Sequence, residues 1–164
     1  MKRVLVILLA ITMLLTLVAC GNSNNYEDKI NEDEHPILVN EDSNYAWGRR
    51  EHITFVTNKG NIYTSNTTID CDEVMSSSDP IDILDNKDLI KLYDLLDKLN
   101  NKHLSLEQHG CDMGDHIIYA YKDSEQIKLY QYGDEVGERT DQVAQDLIEF
   151  AYTYIPIHDG IILE

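Results

Sequence analysis

Basic residues are scarce in this 164-residue chain: 13 Lys and Arg stand against 30 Asp and Glu, for a formal net charge of −17. That balance excludes nucleic acid as a partner, because phosphates must be neutralised by cationic side chains. It also disfavours close contact with anionic lipid headgroups and suits a soluble domain standing off such a surface. Catalytic signatures are missing as well: no H-E-x-x-H, G-x-S-x-G, S-x-x-K or P-loop run occurs. The reading is non-enzymatic, although triads assembled by folding leave no spacing to read. The acidic series Asp79, Asp82, Asp85 and Asp88 lacks the glycine and terminal glutamate of a calcium loop, so it reads as solvated charge around a helix start. Aromatic residues other than tyrosine are few, with one Trp and two Phe against ten Tyr.

What is present begins at the N-terminus. Lys2 and Arg3 precede an apolar run over residues 4–18, and small Ala19 comes just before Cys20. The run is shorter than the roughly 20 residues that span a bilayer, so it reads as a processing signal over residues 1–19. Leu17-Val18-Ala19-Cys20 resembles the lipobox of bacterial lipoproteins. The resemblance implies a diacylglycerol thioether on Cys20, cleavage before it, and often acylation of the new amine; no other cofactor is expected. Two or more acyl chains anchor stably, so the implied product is an extracytoplasmic domain tethered to the plasma membrane. Gly21 in place of aspartate implies the outer membrane in a two-membrane organism. Removing the charges of Lys2 and Arg3 from −17 leaves −19 on the mature chain.

Residues 20–44 read as a lipid-anchored, acidic, flexible tether. Glu27-Asp28, Glu32-Asp33-Glu34 and Glu41-Asp42 dominate it, and its few apolar residues bury too little to order the chain. As a coil it spans roughly 27 Å, lengthened by charge repulsion. Ile37-Leu38-Val39 offers the one stretch able to dock as an edge strand.

Residues 45–164 read as a single α+β domain. Ile53-Thr54-Phe55-Val56-Thr57 and Ile62-Tyr63-Thr64-Ser65 flank turn chemistry and predict a hairpin. Leu89, Leu92, Tyr93, Leu96 and Leu99 form an apolar stripe on a helix that Asp85 caps. A second hairpin is predicted over residues 117–122 and 127–132. A last helix begins near Thr140, carries Val143, Ala144, Leu147, Ile148, Ala151 and Tyr152 on one face, and stops at Pro156. The expected fold is therefore a four-stranded antiparallel sheet with two helices on one face, in the order ββα-ββα.

A turn on Ser124-Glu125 pairs Tyr119 with Tyr130 and Tyr121 with Lys128. A turn on Lys59-Gly60 sends Ile53, Phe55 and Ile62 to the core and Tyr63 away from it. Together these registers predict an open aromatic face of Tyr63, Tyr119, Tyr121, Tyr130 and Tyr132, apolar and hydroxyl-bearing, the chemistry of many recognition surfaces.

Cys71 and Cys111 remain as an even pair once Cys20 carries lipid, which in an exported domain favours a disulfide. The rivals are free thiols and a metal site built from Cys71, His109, Cys111 and His116, though neither segment has a recognised zinc spacing. The sequence therefore points to a membrane-anchored envelope lipoprotein whose domain binds an extracytoplasmic partner or ligand. The alternatives are a metal-handling lipoprotein and an acidic protein of inhibitor or immunity type.

Overall fold

Among the described residues, eight strands join edge to edge in one antiparallel sheet, with β1 (Pro36–Asn44) near its middle. The computed structural model describes residues 29–30, 32–44, 50–109 and 114–157. The chain divides into two units, residues 1–33 and 34–164; Lys29 and Ile30 of the first have helical backbone, and the sheet belongs to the second. The other strands are β2 (Arg50–Thr57), β3 (Asn61–Ser65), β4 (Asp82–Ile83), β5 (Glu107–Gln108), β6 (Asp115–Lys122), β7 (Glu125–Tyr132) and β8 (Glu135–Glu138). The helices are α1 (Cys71–Ser77), α2 (Asn86–Lys98) and α3 (Gln142–Tyr154). Across the sheet the strands run β4-β3-β2-β1-β6-β7-β8-β5.

This corrects the four-stranded ββα-ββα expectation. Residues 36–44, read as part of the tether, form the strand that joins the two halves, with Val39 opposite Phe55 on one side and Tyr119 on the other. Asn40, Glu41, Asp42 and Ser43 have poor strand propensity, yet pairing on both sides overrides it. Short β4, β5 and β8 and the seven-residue helix α1 also went unread. Among the described residues no helix is long and apolar enough to cross a membrane; the apolar run over residues 4–18 lies outside them.

The helices begin where short polar side chains satisfy their first amides. The Asp70 carboxylate accepts from the amides of Asp72 and Glu73, Asp85 from Asp88, and Asp141 from Ala144. α2 and α3 lie on one face of the sheet, burying Leu89, Leu92, Leu96, Ala144, Leu147 and Ala151 over Leu38, Val56, Ile118 and Ala120. α1 lies on the other, where its Val74 packs with Val39, Ile53, Phe55, Tyr63 and Tyr119.

Two local details decide which side chains reach which face. The first hairpin turns through three residues, Asn58-Lys59-Gly60, because β2 ends at Thr57 and Gly60 takes φ +82°, a conformation glycine adopts freely. Phe55 therefore pairs with Tyr63, not Thr64, and the two rings stack at 5.4 Å. The second hairpin turns on Asp123-Ser124, both at positive φ, one residue earlier than expected. That change slides the pairing by two positions and leaves the faces alone. A bulge at Leu129 then does alter them: Tyr119 pairs with Lys128 while Ile118 pairs with Tyr130.

Candidate functional site: an aromatic surface beside the end of the third helix

The bulge at Leu129 splits the expected tyrosine face. Tyr63 and Tyr119 are 5% exposed in the α1-side core, and half-buried Tyr121 packs edge-on against Tyr119 at 5.7 Å. Those three are not an open surface. Tyr130 and Tyr132 sit on the opposite face, the side of α3, where β6 sets His116 directly opposite Tyr132.

There the rings form a contiguous set. His116 meets Tyr130 edge-on at 5.3 Å and Tyr152 of α3 at 6.1 Å, and His109 meets Tyr132 at 6.0 Å. Tyr132 is 41% and Tyr152 47% exposed, while Tyr130 is half-buried beneath them. The phenols of Tyr130 and Tyr152 lie close enough to affect each other's ionisation. Burial, followed by the Glu138 carboxylate, holds the Tyr130 phenol above its ordinary range; burial, then Tyr130 and Glu138, does the same for Tyr152.

The site is positioned from below by a buried amide. Asn40, fully buried on β1, donates through Nδ2 to the Ile155 carbonyl at 2.9 Å, and its Oδ1 lies 2.7 Å from His116 Nε2. Since that oxygen has no proton to give, His116 Nε2 is the donor, which fixes the ring's orientation and tautomer. Glu138 on β8 pairs with Tyr130, and its Oε1 accepts from Gln145 Nε2 of α3 at 2.8 Å. Asn40, Glu138, Gln145 and Tyr152 were missed by sequence reasoning. The first came from the presumed tether, the next two from positions with no chemical signature, and Tyr152 was assigned to a buried helix face.

On the α1 side a second polar cluster is closed over. The Tyr119 hydroxyl donates to Glu41 Oε2 at 3.3 Å. Burial pushes the Glu41 carboxyl up, against the opposing pull of Tyr119 and Lys128. Cys71, at the start of α1 and packed on this core, is a free thiol pushed up to about 12 by burial and then by Asp72, Glu41 and Asp70. Such a thiol is a poor nucleophile and a poor metal ligand.

Its expected disulfide partner Cys111 lies outside the described residues. Of the alternative metal set, Cys71 and His116 are on opposite faces of the sheet, and among the described residues no group of three or more His, Cys, Asp and Glu side chains gathers to hold an ion. A separate cavity of about 290 Å³ lies between loop residues 101–106 and the edge of β7 at residues 125–128. Asn101 closes one side of it by a 2.7 Å bond to Glu125.

No protein-family model, curated protein or solved structure matches the chain.

Proposed function

We propose that this chain is a bacterial envelope lipoprotein, exported by residues 1–19, lipidated at Cys20, and serving as a non-enzymatic binding module. The contact surface in this reading is His109, His116, Tyr130, Tyr132 and Tyr152. The observation that carries it is the exposure of Tyr132 and Tyr152 within one set of packed rings. Tyrosines left open while Tyr63 and Tyr119 are buried are a choice of placement rather than a shortage of core, and exposed aromatic clusters mark interaction sites. The support beneath is held by the Asn40 bonds to His116 and Ile155, which lowers the ordering cost of binding.

Anchoring is tested by metabolic labelling with an azido fatty acid: the full chain takes up label and the Cys20→Ser variant does not. Binding is tested in the envelope of the same cells with photoreactive benzoylphenylalanine substituted at Tyr132 or, as a control, at exposed Asp97. A discrete crosslinked product from position 132 alone supports the reading. Equal products from both positions, or none, overturns it.

A further inference from the structure

The exposed rings share their end of the sheet with Glu138, a carboxylate that no basic side chain pairs with among the described residues. We propose that this surface receives the guanidinium or ammonium of an arginine or lysine presented by a basic partner protein. The inference rests on the binding-module reading and names the chemistry of its partner.

Glu138 pairs with Tyr130 across β7 and β8, so both side chains stand on the α3 side of the sheet. Its one hydrogen-bond partner among the described residues is the neutral amide of Gln145, which orients the carboxylate without neutralising it. A cation laid over Tyr132 or Tyr152 meets the negative ring face, and a guanidinium there can also reach a carboxylate by a charge-assisted bond. A neutral occupant such as an alkyl chain gains the ring area but strips water from Glu138 with nothing in return. That penalty makes the site selective for positive charge. The formal charge of −17 acts in the same direction at long range, steering a basic protein rather than an acidic one towards the surface.

The test uses the full chain in neutral detergent micelles and two pentapeptides, one with a central arginine and one with citrulline, its uncharged isostere. Tyrosine ring resonances report the site. The arginine peptide should shift Tyr130, Tyr132 and Tyr152 saturably and bind about tenfold tighter than its citrulline twin, the size of effect expected when a cation–π contact adds to a carboxylate. Glu138→Gln should bring the two peptides to within about threefold, with an unchanged thermal midpoint showing that the fold is intact. Equal binding of both peptides in the wild type overturns the inference, as do shifts confined to other parts of the surface. If arginine has no advantage while the crosslink at position 132 persists, the cation preference falls and the binding-module reading stands; if the crosslink is also absent, both fall.

Discussion

The Asn40 side chain donates a 2.9 Å hydrogen bond to the carbonyl of Ile155, tying the central strand to the residue that ends α3, 115 positions away. Its oxygen meanwhile meets His116, so one buried amide serves two distant segments. Asn40→Ala should cost about 2 kcal/mol or more, since it leaves a buried carbonyl and an imidazole N–H without partners. The denaturant midpoint measures this, and a loss under about 0.5 kcal/mol would mean that water replaces the amide.

Tyr119 and Tyr132 provide a direct test of the bulge at Leu129. Tyr119→Ala removes a ring from the α1-side core and should destabilise by about 3 kcal/mol. Tyr132→Ala, at an exposed ring, should change stability by no more than about 0.5 kcal/mol. Thermal or urea unfolding of the two variants checks the contrast, which an unbulged ladder carrying both tyrosines on one face would not produce.

Arg139 is 5% exposed and holds Asn100, Lys102 and Asp141 at once, through bonds of 2.7 to 3.3 Å. It thereby fastens the chain leaving α2 to the cap of α3. Arg139→Ala should cost about 2 kcal/mol or more, and Arg139→Lys should recover less than half of that, because an ammonium cannot reproduce the planar fork. Burial works against ionisation of Asp141, but the Arg139 bonds and the α3 amides outweigh it and lower its pKa. A lowered folded-state pKa gives stability that is present above the unfolded value near 4 and lost as pH falls through the folded one. Unfolding curves from pH 6 to pH 2 should therefore be less steep in pH for Asp141→Asn.

Glu41 has the opposite sign. Its carboxyl is raised by burial, so ionisation costs the folded state increasingly as pH rises above the unfolded value and through the folded one. Glu41→Gln keeps an acceptor for Tyr119 and should raise the thermal midpoint at pH 7, with the gain shrinking towards pH 4. A lowered midpoint at pH 7 would show that its attraction to Lys128 dominates.

The Cys71 thiol, pushed up to about 12, should resist iodoacetamide at pH 8 while the chain is folded and react fully in denaturant. Peptide mass spectrometry reads the alkylation. A peptide joining Cys71 to Cys111 would overturn the assignment of a free thiol.

Both long hairpins and the two longer helices were legible because their chemistry is local. Ile53-Thr54-Phe55-Val56 favours extended chain, and the spacing of Leu89, Leu92 and Leu96 is one helical stripe. β1 was not legible, since Asn40 through Asn44 are individually the residues of coil and become strand only through two partners distant in sequence. β8 hides behind Gly137, where a side chain would strike the Ser105 carbonyl at 2.5 Å, so close approach rather than propensity selects the residue. The faces failed for a narrower reason. A strand reverses its side chains at every position, so one extra turn residue at Asn58-Lys59-Gly60 and one bulged residue at Leu129 each turned a correct strand over. Tyr130 and Tyr132 survived as site candidates only because the bulge carried them to the other side.

The place of β1 has a further consequence for the order of assembly. This strand precedes the others along the chain, yet one of its two neighbours is β6, so Leu38 must wait for Ala120. Long-range pairing of this kind is slow to form. A nascent chain ending before residue 115 would leave β1 with one row of main-chain groups unpaired by any strand, open to whatever strand arrives first.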